Sequence, residues 1–431
     1  MEKHSLSSSF VPSTTTTTIP TPELLGEPTL SRRKHLKFWL RSLKSALPNG
    51  YTSTDLSRLS LAFFSLSALD LLGELDTSTT PQERKDWIDW VYLCQLPTGG
   101  FRGSPATVGA TETWDVANLP ACYFALAGLS MLGDDLSRVN WTGLGEFLVS
   151  VQRADGGFGE WVLKGGVSGQ EGDTIMGGED MRFMYCAMAV RWIMHGGGKD
   201  GPGRHLEGVK DVDVEGCVKF IKASTTYDSG FAAFPFIEAH AGHAYCALSA
   251  LSLLGRLHDG VPPARTPGIL RWLVSMQVPY VPEPDLQEPD QEPSKTPSAP
   301  YTVPGQEGYL NGKLTGGFCG RINKHGDTCY SFWVGGALDV LGHAGLMDMK
   351  ANRWFLLGQT QHLIGGFGKL PGVEYRPDLL HSYLGLAALS IMGEPGLKKI
   401  DSALCISVDA KERIMEMPWL KKEEGDGVER R

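Results

Sequence analysis

Within Gly326-Asp327-Thr328-Cys329-Tyr330-Ser331-Phe332-Trp333 an aspartate and a cysteine stand two residues apart, and His381 follows about fifty residues later. Carboxylate, thiolate and imidazole are all ligands that zinc accepts. Three protein ligands leave a fourth position open, which marks a metal that does chemistry rather than one that only holds a fold. The same residues also read as an N-capping Asp, a buried thiol and a core imidazole, and a spacing of two does not put Asp327 and Cys329 on one face of a regular helix. At a helix start the two can still converge. Just upstream, Arg321, Lys324 and His325 form a basic turn. Such a turn is commonly solvated, but beside a metal it suits a phosphate or diphosphate.

These residues need a scaffold, and internal repetition supplies one. A Gly-Phe signature recurs at Gly99-Gly100-Phe101, Gly156-Gly157-Phe158, Gly230-Phe231, Gly316-Gly317-Phe318 and Gly365-Gly366-Phe367. Several copies follow an amphipathic helical pattern ending in Gln, as at Gln95, Gln152 and Gln361 (segments such as Glu83–Gln95 and Lys350–Gln361). A second helix follows each copy: Leu119–Leu132, Met181–Met194, Ala244–Leu254, Tyr330–Leu341 and Leu379–Met392, with Leu56–Leu72 opening the series. These second helices are apolar nearly all round and are expected inside, the amphipathic ones outside. The repeating unit is outer helix, Gly-Phe turn, inner helix. About six such pairs make an open solenoid or a closed ring, and repeat physics does not choose between them.

Aligning the inner helices on a recurrent tyrosine (Tyr123, Tyr185, Tyr245, Tyr330, Tyr383) sets Arg182 and Asp327 three residues before it, His243 and His381 two before, Cys122 and Cys329 one before, and His240 five before. If the inner helices run parallel, the reactive side chains gather from different repeats on one rim, where several helix N-termini attract an anion. His240 taken alone reads as structural. Tyr123, Tyr185, Cys246 and Trp333 fill a core or, in a closed ring, line an apolar cavity suited to a long hydrocarbon with a diphosphate head.

Of the 431 residues, 42% are hydrophobic and 21% charged, a globular composition, and a net charge of −9 gives no general footprint for nucleic acid. No apolar run approaches the roughly 18 residues of a transmembrane segment. The eight cysteines lack paired spacing and read as reduced thiols in a cytoplasmic protein. Residues 1–30, rich in Ser, Thr and Pro, read as a disordered arm; 31–415 as a single domain; 278–312, rich in Pro, Glu and Gln, as a surface insertion; and 416–431 as a charged flexible tail.

The chain resembles the beta subunits of protein prenyltransferases. The resemblance rests on Asp327-Thr328-Cys329-Tyr330-Ser331-Phe332-Trp333 preceded by Gly320-Arg321-Ile322-Asn323-Lys324, on Asp180-Met181-Arg182-Phe183, on Glu238-Ala239-His240-Ala241-Gly242-His243-Ala244-Tyr245-Cys246 and on Pro377-Asp378-Leu379-Leu380-His381. It covers about residues 38 to 407. Within the family the chain is most similar to the type I geranylgeranyltransferase branch: Ser60 and Leu384 stand where farnesyltransferases carry a bulky Trp and a Tyr, and Lys369 where they carry a magnesium-binding Asp. Asn118, Pro120, two extra residues between Lys369 and His381, and the 278–312 insertion depart from that branch.

The resemblance implies an all-α (α/α)6 toroid, an obligate alpha subunit, and one zinc ion held by Asp327, Cys329 and His381. The open coordination position would take the cysteine of a C-terminal C-a-a-X protein, such as a small GTPase, with X often Leu. The thiolate would attack C1 of geranylgeranyl diphosphate. His240, Arg321, Lys324, Tyr330 and Lys369 are expected to stabilise the leaving diphosphate, with Lys369 making magnesium unnecessary. Ser60, Phe64, Arg182, Phe183 and Leu380 are expected at the peptide, and Ser60, Tyr123, Tyr185, Cys246, Trp333 and Leu384 along the isoprenoid. The competing readings are a farnesyl- or Rab-type geranylgeranyltransferase beta subunit, a terpene-cyclase-like toroid, and a helical scaffold without catalysis.

Overall fold

The computed structural model describes residues 27–108, 115–166, 172–197, 208–279 and 315–417. Most of the expected N-terminal arm, residues 280–312 of the expected insertion and most of the expected tail lie outside the described residues. The helices are, in chain order, α1 (Arg32–Lys44), α2 (Arg58–Leu71), α3 (Pro81–Leu93), α4 (Leu119–Met131), α5 (Trp141–Ser150), α6 (Met181–Met194), α7 (Val214–Ala223), α8 (Ala241–Leu253), α9 (Leu257–Gly260), α10 (Thr266–Val274), α11 (Thr328–Val340), α12 (Met349–Trp354), α13 (Leu379–Ile391) and α14 (Val408–Met415). Short antiparallel hairpins join Trp161–Leu163 to Thr174–Met176, Gln277–Pro279 to Thr315–Phe318, and Ile400–Asp401 to Ile406–Ser407. The second hairpin brings together the two ends of the chain around the expected insertion.

The inner helices α2, α4, α6, α8, α11 and α13 pack in that order, and α13 packs back on α2. The repeats therefore form a closed ring, which decides the alternative that sequence left open. The inner helices carry most of the wholly buried side chains, as expected of segments apolar all round. The Gly-Phe turns join outer to inner helix: Phe101, Phe158, Phe231, Phe318 and Phe367 are all fully buried. The first glycine of the pair is needed for two reasons at once. Gly365 has φ 91°, and a Cβ there would lie 2.3 Å from the Lys34 carbonyl oxygen of the next outer helix; Gly156, at φ 90°, would meet the Gly216 oxygen at 2.1 Å.

The recurrent glutamines latch one outer helix to the next. Gln95 accepts from the N–H of Asn140 at 2.8 Å, Gln152 from Asp213 at 2.7 Å, Gln277 from Asp348 at 3.0 Å, and Gln361 from Ser31 at 2.8 Å. Each partner is the residue just before an outer helix: α5, α7, α12 or α1. The last latch joins the final repeat to the first helix and so closes the outer layer.

The last described segment closes one end of the ring. Tyr245 donates to the carbonyl of Ser402 at 2.7 Å, Tyr123 to Leu404 at 2.5 Å, and Tyr383 to Cys405. Buried Asp70 at the end of α2 binds Lys398 at 2.8 Å and the hydroxyl of Ser407. The opposite end, where the inner helices begin, carries the polar residues. Among the described residues no helix is long and apolar enough to cross a membrane.

Candidate metal centre and its rim

Five inner helices begin on a side chain that caps them. Asn118 accepts from the N–H of Ala121 at 3.1 Å, Asp180 from Arg182 at 2.8 Å, His240 from Gly242 at 3.1 Å, Asp327 from Cys329 at 2.9 Å and Asp378 from His381 at 2.9 Å. The caps that start the helices thereby fix polar groups at a common rim. They also correct the sequence register in one helix. Counted from the caps, Tyr123, Tyr185, Tyr245 and Tyr383 are equivalent, and the α11 member is Phe332. Phe332 is wholly buried against Tyr245, ring centroids 5.1 Å apart. Tyr330 stands two residues earlier, level with His243 and His381, and its hydroxyl lies 3.0 Å from His240 Nε2 at the rim. Two residues turn a helix by more than half a revolution, so a phenol there faces the rim and not the core.

Asp327, Cys329 and His381 converge: their ligand atoms all lie within 4.8 Å of one another. Asp327 and Cys329 are buried and His381 is half-buried. His381 Nε2 is 3.3 Å from Asp327 Oδ1, and its Nδ1 is 2.6 Å from Asp378 Oδ2. Burial alone would lower the pKa of His381, but its bonds to Asp327 and Asp378 outweigh that and raise it to about 9. Burial likewise disfavours the Asp327 carboxylate, yet His381 and the Cys329 amide hold it below the usual range. Burial, and then the Asp327 charge, push the Cys329 thiol well above its ordinary value. A carboxylate, an imidazole and a thiol packed together out of water are stable only with a proton or a cation among them. This donor set fits a borderline-soft divalent metal, whose binding would displace protons from His381 and Cys329.

The basic groups lie at the same end of the ring as this cluster, near the starts of inner helices. Lys369, largely exposed, places Nζ 4.0 Å from Asp327 Oδ2. Arg321 pairs with Glu238 at 3.1 Å, and Lys324 is exposed in the same turn. Arg182 is engaged by Asp180 at 2.6 Å. Burial, followed by His243 and Arg321, lowers His240 to about 4, so its ring is neutral near pH 7.

The six positions expected along the isoprenoid come one from each inner helix: Ser60 from α2, Tyr123 from α4, Tyr185 from α6, Cys246 from α8, Trp333 from α11 and Leu384 from α13. The aromatic groups among them form a belt with Tyr245: ring centroids are 5.5 Å apart for Tyr123–Tyr185, 5.5 Å for Tyr185–Tyr245 and 5.0 Å for Tyr245–Trp333. Of the positions expected at the peptide, Ser60 and Phe64 lie one turn apart on α2, and Leu380 lies on the adjacent α13. Phe183 is half-buried at the start of α6. Sequence reasoning gave no role to Asp378, although Asp at a cap position before a helical run was a readable signal. His243 was placed in the register without a role; its Nδ1 is buried with no hydrogen-bond partner among the described residues.

The ring architecture and this rim can be set beside known proteins. The family described as the prenyltransferase alpha-alpha toroid domain matches residues 30–406. The chain belongs to this family. It is 31% identical over 418 residues to the geranylgeranyl transferase type-1 subunit beta of Dictyostelium discoideum, covering 91% of this chain and 98% of that protein. It is 30% identical to the subunit of the same name from Arabidopsis thaliana, covering 85% of this chain and 86% of the relative. Among solved structures, Candida albicans protein geranylgeranyltransferase-I complexed with GGPP superposes with a TM-score of 0.73 at 27% identity, covering 90% of this chain and 99% of that chain. These homologues are prenyltransferase enzymes, and the alpha-alpha toroid is the family's fold, both as the resemblance implied.

Proposed function

We propose that this chain is the catalytic beta subunit of a type I protein geranylgeranyltransferase, acting with an alpha subunit in the cytoplasm on C-terminal C-a-a-X proteins. The observation that carries the reading is the convergence of Asp327, Cys329 and His381 on the open rim of a ring whose interior is apolar and aromatic. Asp327, Cys329 and His381 would hold zinc, which when bound lowers the pKa of an incoming thiol so that thiolate is present near neutral pH. Cys329 is then a ligand and not the nucleophile.

The ring interior takes the geranylgeranyl chain, and the rim takes its diphosphate. The substrate's sulfur forms a bond to C1 as the C1–O bond breaks; the thiol proton passes to solvent and the diphosphate leaves with the electron pair. Negative charge therefore grows at the rim, where Arg321, Lys324 and Lys369 supply positive charge. Lys369 does the work that a magnesium ion would otherwise do. Because the Gly242 amide donates to His240 Nδ1, the His240 proton sits on Nε2 and points to the Tyr330 oxygen. The Tyr330 hydroxyl is thereby free to donate its own proton to a diphosphate oxygen. Ser60, Phe64, Arg182, Phe183 and Leu380 face the peptide. A reducing compartment suits eight cysteines that are all buried and unpaired.

The test is transfer by the heterodimer, offered geranylgeranyl and farnesyl diphosphate with peptides that differ only at X. Faster transfer of the C20 group to peptides ending in Leu is expected. Faster transfer of the C15 group to peptides ending in Met or Ser would place the chain in the farnesyl branch instead.

A further inference from the structure

We propose that Thr328 is a positioning residue that sets the reach of Lys369 over the rim. The proposal rests on the reading that Lys369 meets the leaving diphosphate.

A backbone hook recurs between repeats. Near the start of an inner helix one N–H donates to the carbonyl two residues beyond the buried Phe of the next Gly-Phe turn: Leu59 to Gly103 at 2.9 Å, Leu119 to Glu160 at 2.9 Å, Ala241 to Gly320 at 2.9 Å, and Thr328 to Lys369 at 3.0 Å. In the first three the hooking residue is apolar, so its own side chain adds no second bond. Thr328 adds a second bond. Its hydroxyl donates to the Gly368 carbonyl at 2.6 Å, and the whole residue is inaccessible to solvent. The two bonds clamp consecutive carbonyls, so both the position and the direction of the chain at Lys369 are fixed.

What is clamped explains the extra bond. The Lys369 side chain is 59% exposed and so is loosely held, and its Nζ lies 4.0 Å from Asp327 Oδ2. A long flexible cation acts at a developing charge only if its backbone origin is fixed, because misplacement by about an ångström costs large factors in rate. Thr328 lies between Asp327 and Cys329, so the helix start that carries two candidate metal ligands also anchors the cation beside them. A valine here keeps the shape and the backbone hook but leaves a buried carbonyl unpaired.

The experiment uses the heterodimer with geranylgeranyl diphosphate and a Leu-terminated peptide. Thr328→Val should lower kcat about tenfold with zinc content unchanged, and added magnesium should restore part of the loss, as it should for Lys369→Ala. Thr328→Ser, which keeps the hydroxyl, should recover most of the rate. In the Lys369→Ala background, Thr328→Val should cost nothing further. Wild-type turnover by Thr328→Val, a loss that follows zinc, or an undiminished tenfold loss in the double variant would each overturn the proposal while leaving the role of Lys369 standing. Wild-type turnover by Lys369→Ala would instead overturn the role of Lys369, and the positioning role with it. If the valine variant does not assemble with its partner, Thr328→Ala, which cannot clash, takes its place.

Discussion

The imidazole of His381 is held from both sides, by Asp378 at Nδ1 and by Asp327 at Nε2. The Asp378 contact fixes which nitrogen is presented to the cluster, a role that outer carboxylates commonly play for metal-binding histidines. Purified heterodimer should therefore contain about one tightly bound zinc per beta subunit. Cys329→Ala should lose it, whereas Asp378→Ala should keep the ligands and weaken affinity by about 10- to 100-fold, read by competition with a chelating dye. Equal zinc affinity in the Asp378 variant would mean that Asp378 serves only as a helix cap, through its 2.9 Å bond from the His381 amide. The three ligands were legible from residue type and spacing, with their convergence argued from repeat register. Asp378 was not assigned because a capping Asp and an orienting Asp look alike in sequence; here one carboxylate does both, with Oδ1 on the His381 amide and Oδ2 on its ring Nδ1.

Helix pairs, Gly-Phe turns and the division into inner and outer layers were readable because each has a local cause: an all-apolar face, an amphipathic face, or a glycine where no Cβ fits. The register of α11 was misread because Tyr served as its marker, and Phe332 fills the same buried position without a hydroxyl. The caps give the true frame, and they were present in the sequence as Asn118, Asp180, Asp327 and Asp378. The outer helix of the last repeat widens to a π-helical turn at Phe355–Thr360, which nothing in its apolar sequence signals. Two predictions belong at this scale. Ser60 on α2 lies on the helix adjacent to Leu384 of α13, and its hydroxyl turns back to the carbonyl of Ser57 at 2.6 Å. A bulky group there should fill space that a fourth isoprene unit needs, so Ser60→Trp should shift donor preference towards the farnesyl diphosphate by about tenfold or more in direct competition; an unchanged preference would remove Ser60 from the cavity wall. Gln361 accepts from Ser31 and donates to the carbonyl of Thr29 at 3.1 Å, so Gln361→Ala breaks the latch that closes the outer ring. A loss of about 1–3 kcal/mol in unfolding free energy is expected from denaturant titration.

Ring closure is a property of the whole molecule, and it was not legible in the sequence because the contact of α13 with α2 joins residues from opposite ends of the chain, outside any repeat period. One side chain at that seam makes closure sensitive to pH. His35 of α1 is wholly buried; its Nδ1 accepts from the Gly366 amide at 3.3 Å and its Nε2 faces Gln361 Oε1 at 3.1 Å. Both contacts are made together only by the neutral ring with its proton on Nε2. Burial, partly offset by Gln361, lowers the pKa of His35 from 6.5 to about 4. An unfolded chain binds a proton at His35 below pH 6.5 that the closed ring refuses until about pH 4. The stabilisation is therefore full above pH 6.5 and is lost as pH falls through that window, by on the order of 3 kcal/mol for this group. His240, lowered to about 4 chiefly by burial, adds loss of the same sign, though its more open position at the rim makes its share smaller. His381 in metal-free protein has the opposite sign, since its pKa is raised to about 9 and its contribution is present below pH 6.5 and lost towards pH 9. Zinc-loaded heterodimer should accordingly show unfolding midpoints that drop steeply between pH 6.5 and 4.5. His35→Gln, which offers an amide donor to Gln361 but cannot take up the proton, should lower stability at pH 7 and flatten the slope by nearly one proton over the same range. An equally steep slope in that variant would locate the acid sensitivity away from the seam.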